Sequence, residues 1–155
     1  MPGEKLTPEQ RSWNMSRIGS KNTGPEIKIR SILHKNGYRF RLNGKVGRKL
    51  YSKGYLPGKP DLVLAKYKTV IFINGCFWHQ HECCKKGTIP KTRTEWWRKK
   101  LQENITRDIN NKRLLENLGW KVLIVWECEV RNQVFLDELN EIKHEKDCHG
   151  YKTDE

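Results

Sequence analysis

Apolar and polar positions change period several times along this chain, and each change marks an element. Ile29, Ile32 and Leu33 recur at helical spacing behind Thr23-Gly24-Pro25-Glu26. Thr23 is an N-cap residue, Pro25 suits a first turn and Glu26 completes a capping box, so a helix opens there and stops at Asn36-Gly37. Tyr38, Phe40 and Leu42 then alternate with Arg39 and Arg41, the period of a half-buried strand. Asp61 to Ala65 and Thr69 to Asn74 form two apolar runs around a tight turn at Lys66 to Lys68, which predicts an antiparallel hairpin. From Thr94 to Leu118 helical spacing returns, with Trp97, Leu101, Ile105 and Leu115 on one side and Gly119 as the stop. Trp120 to Trp126 is nearly continuous apolar sequence, the pattern of a strand buried on both faces. The long helix is then a crossover connection onto the same sheet. A last helix spans Glu129 to Lys143, with Val134, Phe135, Leu139 and Ile142 inward. The predicted order is α-β-β-β-α-β-α: an α/β fold with one mixed sheet flanked by helices.

The remaining segments are polar. Residues 1–22 carry little pattern apart from Trp13, Met15 and Ile18 and read as a flexible N-terminal segment. Residues 23–143 form a single domain, and residues 144–155 are expected to be a disordered tail. Residues 43–60 make a long loop with Gly44, Gly47, Gly54 and Gly58, two prolines and the cations Lys45, Arg48, Lys49, Lys53 and Lys59. It is expected to be mobile and close to phosphate.

Charge narrows the function. The 155 residues hold 31 Lys+Arg against 18 Asp+Glu, a net +13. Such an excess favours a polyanion through counterion release. An anionic membrane surface would satisfy the charge alone, but no apolar run approaches a spanning helix and no signal segment opens the chain. The expected compartment is a reducing cytosol, where the five cysteines are thiols or metal ligands rather than disulfides.

Candidate chemistry concentrates in Asn74-Gly75-Cys76-Phe77-Trp78-His79-Gln80-His81-Glu82-Cys83. Thiolate and imidazole are zinc ligands, and histidine is also a general base. Cys76, His81, Cys83 and the distant Cys128 are the candidate ligands, with Cys84 and His79 as competitors. The C-x4-H-x-C spacing does not match the common zinc-finger pattern, and buried free thiols are the plain alternative. Pro60-Asp61 opens a strand, as nucleases do when they place a metal-binding carboxylate, although most Pro-Asp pairs merely begin turns. The acid-x-lysine half of that signature is missing from Phe72-Ile73-Asn74, which leaves His79 as the candidate base. Asp108 lies on the inward side of the long helix and needs a partner. Lys112, four residues on, is the plain one, and His79 is the functional one. Phe77, Trp78, Trp96 and Trp97 would all fit a core. Set among Lys85, Lys86, Lys91, Arg93, Arg98, Lys99 and Lys100, they also read as stacking wedges on a phosphate-binding surface.

The chain resembles the very-short-patch repair (Vsr) mismatch endonucleases over about residues 11 to 131. The markers are Arg11-Ser12-x-Asn14-Met15, Leu56-Pro57-Gly58-Lys59-Pro60-Asp61, Val70-Ile71-Phe72, Gly75-Cys76-Phe77-Trp78-His79, Thr92-Arg93-Thr94-Glu95-x-Trp97 and Leu118-Gly119-Trp120-x-Val122-Leu123-Ile124-Val125-Trp126-Glu127-Cys128. The resemblance implies a restriction-endonuclease-like fold. It also implies nicking of one strand of duplex DNA 5′ to the thymine of a T:G mismatch, the product of 5-methylcytosine deamination. Asp61 would be the Mg²⁺ ligand with the main-chain carbonyl of Ile73. His79 would activate water with Asp108 behind it, and Glu26 would reach the hydrated metal. Cys76, His81, Cys83 and Cys128 would hold structural zinc. Phe77, Trp78 and Trp97 would enter the base stack, Met15 would approach from the other groove, and Lys45, Arg48, Lys49, Lys91 and Arg93 would contact DNA. Better-known members carry a histidine where this chain has Asn74, which can bond a metal-bound water but accept no proton. This chain also has a longer, more basic loop before Leu56 and Trp13 in a typically basic position. The implied partners are T:G-containing double-stranded DNA and downstream repair proteins, with no membrane. A monomer suffices for a single nick. Two alternatives stand beside this: a nuclease of the same fold with another DNA target, and a zinc-stabilised DNA-binding module without catalysis.

Overall fold

The computed structural model describes residues 6–17, 22–49, 51–82 and 84–149, leaving aside the side chains of Cys148 and His149. Its helices are α1 (Pro8–Ser16), α2 (Gly24–Lys35), α3 (Thr94–Asn117) and α4 (Val134–His149). Its strands are β1 (Arg41–Leu42), β2 (Leu62–Leu64), β3 (Thr69–Asn74) and β4 (Lys121–Trp126). They form one sheet in the order β1-β2-β3-β4, antiparallel except for the parallel pair β3–β4. A parallel pair needs a crossover, and α3 supplies it. The predicted order therefore holds from α2 to α4, as a mixed sheet with helices of the restriction-endonuclease-like kind.

Each face of the sheet carries its own core. Leu62, Leu64 and Ile71 project to one side, where Ile29 and Leu33 of α2 and Phe135 and Leu139 of α4 cover them. Val63 and Val70 project to the other, against Leu115 of α3, Trp120, Val46 and Leu56. Alternate residues of β2 and β3 thus enter opposite cores, and all three residues of β2 are buried.

Several sequence expectations change. Helix α1 was not legible in the polar pattern. Thr7 and Gln10 close a capping box at 3.2 and 2.8 Å, and no residue of α1 is buried, so there was no apolar stripe to find. Met15 and Trp13 of α1 are exposed, while Ile18 lies outside the described residues. The expected strand at Tyr38–Leu42 shrinks to two residues, because Tyr38 turns into the core and donates its hydroxyl to Asn140 at 2.7 Å. The 43–60 loop is pinned rather than loose. Lys45 and Tyr55 bridge, the Val46 N–H bonds Gly54, and Val46 and Leu56 enter the second core. Strand β4 packs on both cores, with Leu123 and Val125 on the first and Val122 on the second, but it is an edge strand and only Val125 is fully buried. On α3 only Leu101 and Leu115 are buried; Trp97 and Ile105 are half-buried. Residues Glu127–Asn132 form a 3-10 turn, so α4 starts at Val134, which is exposed, and continues to His149 through part of the predicted tail. Among the described residues no helix is long and apolar enough to cross a membrane.

Candidate active site

Strand direction gathers the chemistry. Strands β3 and β4 run parallel with Asn74 opposite Trp126, so both end at the same edge of the sheet. Cys76 follows β3 by two residues and Cys128 follows β4 by two, which sets the thiols side by side. Strand β2 runs the other way with Leu62 opposite Ile71, so Asp61, just before β2, lies at that same edge.

Asp61 Oδ2 accepts the Ile73 N–H at 2.7 Å. Burial raises its carboxyl above the usual aspartate range, and the Ile73 bond works against that. Glu26 raises it further, while His79 and Arg30 pull it down, so all three lie within electrostatic reach. A half-buried carboxylate with one oxygen held and a second acid nearby suits a hard divalent cation. Ile73 meets Asp61 through its N–H. Asn74, the last residue of β3, is 6% exposed beside them.

Glu26 does not close the predicted capping box. Its Oε1 accepts the Thr23 hydroxyl at 3.1 Å, and its Oε2 accepts the Asn22 N–H at 2.9 Å and Arg30 Nη2 at 3.1 Å. Thr23 remains the N-cap by position, but its hydroxyl is spent as a donor.

His79 Nδ1 bonds Asp108 Oδ2, and both side chains are half-buried. Lys112 pairs with Glu116 instead, so the plain partner for Asp108 is not the one it takes. A carboxylate only accepts, which places the proton on Nδ1 and leaves the Nε2 lone pair as the basic one. Asn104 Nδ2 donates to the Trp78 carbonyl at 3.1 Å, a second tie between α3 and this turn.

Beyond His79, the ligand atoms of Cys76, His81, Cys84 and Cys128 lie within 4.8 Å of one another. His81 Nδ1 is 3.7 Å from Cys76 Sγ and 3.3 Å from Cys128 Sγ, and Nε2 faces Glu129 at 3.8 Å. The ring stacks on Trp126 with centroids 4.2 Å apart and planes 6° from parallel. Burial pushes the Cys76 thiol up to about 12, and the Lys86 backbone N–H pulls the Cys84 thiol down. Three thiols and an imidazole converging in this way fit a closed tetrahedral zinc site. The fourth described ligand is Cys84, a competitor in the sequence reading; Cys83 lies outside the described residues. A Cβ at Gly87 would stand 3.1 Å from the His81 carbonyl oxygen, so a side chain there would press on the backbone of this turn.

Phe77, Trp78 and Trp97 form a mutual cluster with centroids 5.2 to 5.9 Å apart, and exposed Trp96 adds an edge contact to Trp97 at 4.9 Å. None belongs to either core. Lys91 and Arg93 are exposed just before α3, and Lys45, Arg48 and Lys49 are exposed on the loop whose Val46 and Leu56 share a core with α3. The sequence reading missed Arg30, Trp126 and Glu129. Arg30 carried a signal in its i,i+4 spacing from Glu26; the other two carried none without the fold.

The family model described as DNA mismatch endonuclease Vsr matches residues 3–85. The chain is 46% identical over 141 residues to the type II nicking enzyme V.NmeAIP of Neisseria meningitidis serogroup A, covering 90% of this chain and 94% of that protein. The chain belongs to the Vsr family. It is 42% identical over 127 residues to the type II nicking enzyme V.XorIIP of Xanthomonas oryzae pv. oryzae, with 82% and 86% covered. It is also 42% identical over 123 residues to the DNA mismatch endonuclease Vsr of Escherichia coli K12, with 79% and 72% covered. It is a DNA nicking endonuclease of the Vsr family, so the candidate module without catalysis is set aside.

Proposed function

We propose that this Vsr-family enzyme nicks one strand of duplex DNA 5′ to the thymine of a T:G mismatch, with Mg²⁺ as the catalytic cation and zinc as a structural one. The observation that carries the reading is the His79–Asp108 pair set at one sheet edge with Asp61 and an aromatic cluster outside the core. His79 Nε2 takes a proton from the attacking water, and Asp108 holds the ring and balances the imidazolium that forms. Asp61 and the Ile73 carbonyl would hold the cation, with Glu26 and Asn74 as further polar groups for it. When bound, Mg²⁺ would supply electrostatic stabilisation of charge on the phosphate. Cys76, His81, Cys84 and Cys128 hold zinc, tying the turn that carries His79 to the end of β4. Phe77, Trp78 and Trp97 enter a step already weakened by the wobble pair. Met15 contacts the other groove, and Lys45, Arg48, Lys49, Lys91 and Arg93 lie along phosphates. No second copy is needed for one nick.

For the target, the relatives favour a second reading over T:G: V.NmeAIP and V.XorIIP are both named type II nicking enzymes. On that reading the same machinery cuts a different DNA target. The test of the shared chemistry is Asp61→Ala. It should abolish nicking and leave DNA binding intact or tighter, since a carboxylate near phosphate is removed. Mg²⁺-dependent nicking near the wild-type rate would overturn the assignment.

A further inference from the structure

Arg30 is held in a ring that the catalytic scheme above does not use. Its Nη1 donates to Asn22 Oδ1 at 2.7 Å and its Nη2 to Glu26 Oε2 at 3.1 Å. The Asn22 N–H closes the ring on the same Glu26 oxygen at 2.9 Å. This is no exposed helix pair, for the Arg30 and Glu26 side chains are 20% and 9% exposed. Asn22 adopts φ +55°, a left-handed conformation that asparagine tolerates better than most residues. Among the described residues Arg30 Nε is buried without a hydrogen-bond partner.

We propose that Arg30 is a positioning residue of the nicking site: its guanidinium, bonded to Asn22 and Glu26 together, holds the Glu26 carboxylate in one orientation for the reaction. The inference rests on reading Asp61 and Glu26 as the metal-facing acids. Asp61 feels Glu26 as a like charge and Arg30 as an opposite one, so the three form one electrostatic unit. Free of Arg30, Glu26 keeps the Thr23 and Asn22 donors but loses its one cationic partner among the described residues, and like-charge repulsion turns it away from Asp61. Lysine cannot replace the fork, because a single ammonium does not span both acceptors in the guanidinium plane.

The test compares Arg30→Gln, Asn22→Gly and Glu26→Gln by single-turnover nicking at saturating Mg²⁺, Mn²⁺ binding by electron paramagnetic resonance, and melting temperature. Arg30→Gln should slow nicking about tenfold to a hundredfold, the scale of a misplaced catalytic group. Its Mn²⁺ affinity should equal or exceed the wild type, since a nearby cation is gone. Asn22→Gly accepts the positive φ and removes only the Oδ1 acceptor, so it should show a smaller loss with an unchanged melting temperature. In a Glu26→Gln background, Arg30→Gln should cost nothing further, because it acts through Glu26. Wild-type nicking by Arg30→Gln, additive losses in the double variant, or Mn²⁺ binding that falls in step with stability would overturn the proposal. A wild-type protein that nicks but binds no Mn²⁺ would instead overturn the metal reading beneath it.

Discussion

Asp108→Asn separates catalysis from stability, because the structure gives Asp108 one partner of consequence. The substitution keeps side-chain shape, and aspartate and asparagine have similar helix propensities. The pair with His79 is half-exposed on both sides, and exposed ion pairs are worth about 0–1 kcal/mol. Lys112 is engaged with Glu116, so no helix contact is lost. The melting temperature should therefore fall by no more than about 4 °C. The effect on rate is larger. An asparagine amide can donate to His79 Nδ1, which moves the ring proton to Nε2 and removes the base. General-base catalysis contributes about 10²- to 10⁴-fold, so nicking should drop by at least about a hundredfold, roughly 2.7 kcal/mol of barrier. Single-turnover nicking of an end-labelled duplex, with thermal unfolding of the same preparation, measures both. Nicking within about threefold of wild type would refute the role of Asp108. So would a rate loss that tracks a collapse in stability.

Three further perturbations follow from the same geometry. Cys128 is exposed, so Cys128→Ser should be nearly neutral in a metal-free protein, within about 0.5 kcal/mol; elemental analysis should instead show zinc content and melting temperature falling together, and an equally stable variant would contradict the closed site. Trp78 lies outside both cores, so Trp78→Ala should cost less than the roughly 3–5 kcal/mol of a core tryptophan while sharply reducing nicking of T:G duplexes. Full T:G preference in a strongly destabilised variant would assign Trp78 to packing. Burial raises the Asp61 carboxyl, so protonation favours the fold and the Asp61 contribution is lost as pH rises through its folded-state value. Asp61→Asn, which can still accept from Ile73, should then melt higher than wild type in chelator at neutral pH and lose that advantage in acid; a lower melting temperature at both pH values would contradict the argument.

The sequence was informative where burial leaves a period. The β2–β3 hairpin, the long crossover helix and its Gly119 stop all follow from apolar spacing and turn chemistry, and all are present. Helix α1 was invisible because it buries nothing. Strand β4 does pack on both cores, as its apolar run implies, but that run could not show that β4 sits at the sheet edge with Ile124 exposed. In the site, residue types were legible but partners were not. Cys76, His81 and Cys128 were recognisable from chemistry, yet spacing alone did not bring Cys84 forward as the fourth member of the cluster. Asp108 had two partners compatible with its spacing, and only the packing of α3 against the His79 turn decides between them. The Asn22–Glu26–Arg30 ring stands in place of a capping box that Thr23 and Glu26 favour, because the Glu26 oxygen that accepts the Asn22 N–H also takes Arg30 one turn along the same helix.

The most direct test of the proposed target is strand-resolved nicking of three otherwise identical duplexes carrying T:G, C:G or T:A at one position, with Mg²⁺ and with chelator. The expected result is a single Mg²⁺-dependent nick, immediately 5′ to the thymine of the T:G duplex, with the opposite strand and both matched duplexes left intact. Equal cutting of matched and mismatched DNA, cutting of both strands, or a nick unaffected by chelator would contradict it.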